Sequence, residues 1–323
     1  MKYSSLIQTS FEKLTKEIFD QKPKNLYEPI VYNMSIGGKR IRPLLMLYAC
    51  ELFNGDVENC IKSAYGVELF HNFTLLHDDI MDNAYIRRGK PSVYKKFGIV
   101  AGILSGDVMM MHGQKLFFDS LPQEIAAEVT KVFINTGIEV CEGQQMDMDF
   151  ENQDLVSETE YIEMIRLKTA VLIAASLEIG AIVAGASKAE RKAIYDFGTA
   201  LGIAFQLRDD YLDTFGKQEK VGKKSGGDIT ENKKTIIFIH ALNHADENQL
   251  AEMKRYLATK EENQAKIAYF KSIFESLGSK KYIESLMDQY FEKSIHLLNS
   301  LSKNEQEIKE LKNIASIIVN RGN

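Results

Sequence analysis

Two stretches of this chain are apolar around nearly their whole circumference, and each runs into a cluster of aspartates. Residues 64–81 read AYGVELFHNFTLLHDDIM and residues 200–215 read ALGIAFQLRDDYLDTF. Helices that are apolar on every face belong at the centre of a protein. Elsewhere apolar residues recur at three and four positions, and alternating strand-like runs are scarce. The expectation is therefore an all-α fold, a single large helical bundle built over residues 1–323. Only the Gly- and Lys-rich segment from Gly216 to Thr235 breaks the periodicity, which predicts a loop there.

The aspartates set the chemistry. Asp78 and Asp82 are four residues apart, so a helix puts both carboxylates on one face. Asp209 and Asp213 repeat that spacing, with Asp79 and Asp210 as the second members of the two clusters. One acidic helix end is ordinarily a solvated surface. Two of identical spacing at the ends of core helices are costly to bury unless cations lie between them. Hard divalent ions with oxygen ligands answer that need, and Mg²⁺ shares its coordination sphere with substrate phosphates.

Basic residues stand where a phosphate would require them. Gly37-Gly38-Lys39-Arg40-Ile41-Arg42-Pro43 places Lys39 and Arg42 three apart at a glycine-to-helix junction, where backbone N–H groups and side chains can both meet an anion. Arg87 and Arg88 follow the first cluster, and the 216–235 segment carries Lys223 and Lys233. Each alone reads as a surface charge; their distribution points to a diphosphate pocket. His71 lies only about 20° around the helical wheel from Asp78, on the acidic face rather than the apolar one.

Composition removes several classes of function. A net charge of -5 and a pI near 5.8 disfavour nucleic acid and anionic membrane surfaces as partners. The first twenty residues mix charge with apolar positions and read as no signal peptide. The apolar run from Val171 to Ala186 is too short for a bilayer span and is interrupted by Glu178, so it reads as a buried helix. Cys50, Cys60 and Cys141 are odd in number and lack metal-ligand spacing, which fits reduced thiols in a core and a cytoplasmic location.

With these motifs in hand, the chain resembles the trans-isoprenyl diphosphate synthases, the polyprenyl synthetase family. LLHDDIMDNAYIRRGKPS is similar to the family's first motif, FQLRDDYLD to its second and GGKRIRP to its isopentenyl site, in the family's order. The resemblance implies a bundle of the isoprenoid synthase type with a central cavity, a homodimer, and Mg²⁺ with isopentenyl and allylic diphosphates as ligands. Carried over by residue, it gives the isopentenyl diphosphate to Lys39, Arg42, His71 and Arg88. The allylic diphosphate falls to Arg87, Lys168, Lys223 and Lys233. Asp78, Asp82 and Asp209 become direct metal ligands, while Asp79, Asp210 and Asp213 ligate or hold metal-bound water. Gln144 and Asp147 face the site from a further helix, Gln144 toward substrate and Asp147 as a metal ligand.

The implied reaction ionises the allylic C–O bond to release diphosphate, lets the isopentenyl double bond attack the resulting cation, and passes a proton to the departed diphosphate. The resemblance assigns the Lys168 carbonyl, the Thr169 hydroxyl and the Gln206 amide to stabilising that cation. Phe73, five residues before Asp78, and Phe70, eight before, are read as a floor under the growing chain. Family members with an aromatic residue five positions upstream resemble short-chain synthases, which points to a C20 product with C15 as the alternative. The chain departs from the family at Asn232, where a glycine is usual, and lacks the proline that commonly follows Thr235. Two other readings stand beside this one: a class I terpene cyclase, and a non-catalytic subunit of a heteromeric synthase. The aspartate-rich second motif and the GGKRIRP segment argue against the first. The intact set of aspartates and lysines argues against the second.

Overall fold

The computed structural model describes residues 1–216, 226–258, 263–301 and 305–319. In chain order the helices are α1 Ser4–Phe19, α2 Lys24–Ser35, α3 Ile41–Leu52 and α4 Val57–Met81. A two-stranded hairpin follows, β1 Ile86–Arg87 with β2 Lys90–Pro91. Then come α5 Val93–Phe97, α6 Ile99–Ser120, α7 Gln123–Phe150, α8 Glu158–Ile165, a π-helical turn Arg166–Ala170, α9 Val171–Val183 and α10 Lys188–Phe215. The last are α11 Gly227–Glu231, α12 Ile236–His244, α13 Glu247–Leu257, α14 Gln264–Ser276, α15 Ser279–Asn299 and α16 Glu305–Val319. The all-α expectation holds. Among the described residues no helix is long and apolar enough to cross a membrane.

The chain forms two compact units, residues 1–135, 175–194 and 302–311 in one and the remainder in the other. In the first unit α4 is the central helix. Asp56 starts it by accepting the Glu58 N–H at 3.0 Å. Val67, Leu69 and Phe70 are then buried, each contributing about 1.5–3 kcal/mol by leaving water. Glycines let α6 come close: a Cβ at Gly66 would stand 2.7 Å from the Gly113 carbonyl oxygen, and one at Gly113 2.8 Å from that of Gly66. A methyl at either position would push the two helices apart.

The second unit buries Ile203 and Leu207 of α10 with Ile236, Ile237 and Phe238 of α12, Phe270 and Phe274 of α14, and Ile283 of α15. Capping boxes start α8, at Ser157 and Glu160, and α13, at Asp246 and Gln249. The segment expected to be a loop from Gly216 to Thr235 contains the short helix α11. Gly226 at φ +93° and Asn232 at φ +61° bracket it, and the burial of Ile229 draws it onto the core. Val171 to Val183 is the buried helix that its composition predicts. Cys50 and Cys60 are buried free thiols, as expected, but Cys141 is exposed on α7 and is no core residue.

Candidate active site

In the first unit, α4 delivers its aspartates at its last turn. Asp78 is half-buried and Asp79 is buried; Asp82 forms the C-cap, with its amide donating to the Asp78 carbonyl at 2.8 Å. The chain then reverses through the hairpin, pairing Ile86 with Pro91 and Arg87 with Lys90. That leaves a two-residue turn, Arg88 at φ +53° and Gly89 at φ +77°, the backbone that a twist-matched tight turn requires. The reversal folds Arg87 back onto the motif. Its Nε donates to Asp79 Oδ1 at 2.9 Å, and its Nη2 lies 3.5 Å from Asp78 Oδ2.

Arg88 points the other way, donating to the Gly37 carbonyl oxygen; a Cβ on Gly38 would stand 2.8 Å from its Nη1. The glycine loop is thereby fixed ahead of α3. Arg42, in the first turn of α3, donates from Nη1 to His71 Nε2 at 3.2 Å. A guanidinium can only donate, so His71 Nε2 must carry a lone pair and the imidazole is neutral. Burial pushes its pKa well down, and Arg42, Arg88, Arg40 and Arg87 push in the same direction. Lys39 lies exposed on the same loop, on the rim of a cavity of about 1100 Å³ bounded by α1 and α2.

Behind the motif, Phe73 packs edge-on against His77 at 4.7 Å and leans on Phe70 at 5.5 Å. Phe70 in turn meets Phe133 at 5.0 Å. The two predicted floor residues belong to one aromatic cluster.

In the second unit, α7 and the π-turn place Lys168 Nζ 2.6 Å from Asp147 Oδ2. A single π-turn often marks a functional position, because it shifts side-chain register within a helix. Here it packs between two glycines. A Cβ on Gly143 would stand 2.3 Å from the Lys168 amide nitrogen, and one on Gly202 would stand 2.5 Å from Ala170 Cα.

From the turn a polar chain runs into α10. Thr169 Oγ1 donates to Gln206 Oε1 at 2.9 Å, Gln206 Nε2 donates to Asp210 Oδ1 at 3.0 Å, and the Tyr161 hydroxyl donates to Asp210 Oδ2. Asp210 is buried, and burial first, then Asp228, push its carboxyl well above the usual range. Asp209 is exposed on the same helix end. Asp213 accepts the Asp228 N–H at 3.0 Å through Oδ2 and the Gly226 N–H at 2.8 Å through its carbonyl. Asp228 itself is pushed up to about 7 by burial and by Asp213.

Lys233 follows α11, its amide donating to the Asp228 carbonyl at 2.9 Å and its Nζ 3.5 Å from Glu231. Gln144 is half-buried on α7, three residues before Asp147. Lys223 lies outside the described residues.

Among the described residues, no three His, Cys, Asp or Glu side chains converge into a metal cage. Paired carboxylates one turn apart fit Mg²⁺ nonetheless, because that ion is held by one or two carboxylates and completed by waters and substrate phosphates.

Several contributors are not among the predicted site residues. Arg40, at φ +48°, is paired at 2.5 Å with the buried Glu68, which also accepts from Asn72 at 2.9 Å. Tyr161, Gly143 and Asp228 are likewise not among them. A glycine two residues after a cysteine in α7 could have hinted at close approach, but its partner lies 25 residues away.

The sequence model described as Polyprenyl synthetase matches residues 23–274. The short chain isoprenyl diphosphate synthase of Methanocaldococcus jannaschii is 42% identical over 251 residues, 77% of this chain and 76% of that protein. The geranylgeranyl diphosphate synthase of Sulfolobus acidocaldarius is 35% identical over 323 residues, covering 99% of this chain and 98% of its own. Among solved structures, a geranylgeranyl pyrophosphate synthase superposes with a TM-score of 0.91 at 40% identity, 99% of each chain covered. Another, from Corynebacterium glutamicum and complexed with isoprenyl diphosphate and magnesium, superposes with a TM-score of 0.89 at 27% identity, again over 99% of each. On the strength of its motifs, its fold and these matches, the chain belongs to the polyprenyl synthetase family.

Proposed function

We propose that this trans-prenyltransferase joins isopentenyl diphosphate head-to-tail to an allylic diphosphate and makes a short prenyl diphosphate, C20 in the main with C15 as the nearest alternative. The observation that carries the reading is the cationic frame of the first unit, where Arg87 sits on Asp78 and Asp79 while Arg42 donates to a neutral His71. In this reading Lys39, Arg42, His71 and Arg88 hold the isopentenyl diphosphate. Arg87, Lys168, Lys223 and Lys233 hold the allylic one. Asp78, Asp82 and Asp209 would hold Mg²⁺, with Asp147, Gln144 and Asp213 completing the polar lining.

Magnesium, when bound, would supply charge neutralisation to the departing diphosphate. The side chains of the chain do the rest. Lysine and arginine donors steady the leaving oxygens, which is electrostatic stabilisation of a transition state rather than nucleophilic attack. Thr169 and Gln206, tied to each other, offer fixed dipoles that stabilise the developing carbocation in this reading. Asp79 and Asp210 orient their neighbours: Asp79 holds Arg87, and Asp210 holds Gln206 and Tyr161. The reading treats residues 1–323 as one catalytic domain of a cytoplasmic homodimer. An exposed apolar row on α6, Val100, Leu104, Met111 and Phe118, supports the homodimer.

The test is diphosphate release by the purified chain given isopentenyl and farnesyl diphosphates, with mass analysis of the dephosphorylated product. Release that needs both substrates and yields a C20 alcohol is expected. Release from the allylic substrate alone would mean a cyclase, and none at all a regulatory subunit. Phe73→Ala is expected to lengthen the product by at least one isoprene unit; an unchanged spectrum refutes the floor.

A further inference from the structure

Asn232 stands where the resembling family usually has glycine, and the structure gives it a task that glycine cannot perform. It ends α11 at φ +61°, ψ 31°, a left-handed conformation that asparagine tolerates better than most residues. Both ends of its amide are engaged. Nδ2 donates to the Leu257 carbonyl at the end of α13 at 3.0 Å, and Oδ1 accepts from Lys266 Nζ at 2.6 Å.

Lys266 on α14 is fully buried, and its ammonium also donates to the Thr230 carbonyl at 3.1 Å. A buried ammonium is costly unless acceptors hold it in place. Two of those acceptors belong to the last residues before Lys233. On the other side, the Lys233 amide closes onto the Asp228 carbonyl at 2.9 Å, and the Asp228 amide is fixed on Asp213 Oδ2 at 3.0 Å. The turn that launches Lys233 is therefore pinned at one end to the second aspartate motif and at the other to Lys266.

We infer that Lys266 and Asn232 form a positioning pair that sets the aim of Lys233 toward the allylic diphosphate. Lys266 touches no reacting atom in this scheme. It acts as a buried peg on which the left-handed turn is hung, and Asn232 couples that peg to α13. The side chain at 232 thus replaces the conformational freedom of a glycine with a fixed geometry held by two hydrogen bonds.

The inference rests on the proposed role of Lys233, so the experiment includes Lys233→Ala alongside Asn232→Gly, Lys266→Met and the double variant. Steady-state KM is measured separately for farnesyl and isopentenyl diphosphates, with thermal unfolding of each protein. Asn232→Gly keeps the left-handed turn accessible and so separates positioning from folding. Each single variant of the pair is expected to raise KM for farnesyl diphosphate about fivefold and to leave that for isopentenyl diphosphate unchanged; the double variant should go no further than the worse single one. Lower melting temperatures with both KM values unchanged, or equal rises for the two substrates, would overturn the pair. Should Lys233→Ala leave the farnesyl KM unchanged, the assignment of Lys233 falls and the inference with it. A raised KM in Lys233→Ala alone overturns only the pair.

Discussion

The two aspartate motifs share a spacing and differ in how their inner acid is kept. At the end of α4 the buried Asp79 faces a guanidinium, Arg87, brought back by the hairpin. At the end of α10 the buried Asp210 faces a phenol and an amide, Tyr161 and Gln206, and burial drives its carboxyl toward the neutral form. The outer acids are more accessible in both places: Asp78 and Asp82 are half-buried, Asp209 is exposed and Asp213 is half-buried. The comparison teaches that identical i, i+4 spacing encodes two different solutions to burying a carboxyl. One uses opposite charge and the other uses neutral dipoles. It also separates the more accessible outer acids from the buried inner ones, which hold their neighbours.

The largest effect that sharpens this division is expected at the outer acids. Asp78→Ala, Asp82→Ala and Asp209→Ala should each lower turnover by roughly 10³-fold, about 4 kcal/mol of transition-state stabilisation, with helical circular dichroism unchanged. Full turnover in EDTA, or a near-native Asp78→Ala enzyme, would break it. Arg42→Ala should do less, raising KM for isopentenyl diphosphate about tenfold while sparing the allylic substrate. Equal effects on both substrates would show that the cationic frame of the first unit is not specific to one of them.

The smallest effect concerns acid. His71 is neutral in the folded chain with its pKa held below 6.5, whereas an unfolded histidine titrates near 6.5. Unfolding therefore takes up a proton below that pH, so stability is fullest above it and is lost as pH falls toward the folded value. Besides burial, the positive charges of Arg42, Arg88, Arg40 and Arg87 oppose its protonation. Melting curves of the metal-free protein from pH 7.5 to 5 should slope downward, and His71→Gln should flatten that slope. An unchanged slope in the variant contradicts the neutral assignment.

How far the sequence reveals this molecule depends on the reach of each interaction. Asp78 with Asp82, and Arg87 with its glycine turn, are local patterns, and helix and turn geometry alone predict where they point. The helical fold and the buried α9 are legible for the same reason. The segment from Gly216 to Thr235 looks like a loop because its composition is Gly- and Lys-rich, yet Ile229 and the flanking left-handed residues fold α11 within it. Tyr161 and Asp210 are 49 residues apart, Arg40 and Glu68 28 apart, Asn232 and Lys266 34 apart. No periodicity connects such partners; only the packed fold does. Cys141 failed the core expectation because a thiol on a long helix is placed by that helix's orientation rather than by its own polarity.

The division between the two motifs is tested most directly by urea unfolding of Asp79→Asn and Asp210→Asn, measured side by side in EDTA. Asparagine at 210 can accept from Gln206 and donate to the phenol oxygen of Tyr161, so its free energy of unfolding should stay within about 1 kcal/mol of the parent chain. Asparagine at 79 leaves a largely buried guanidinium without its closest counter-charge and should cost about 2–3 kcal/mol. Equal losses in the two variants, or a larger loss at Asp210, would contradict the account.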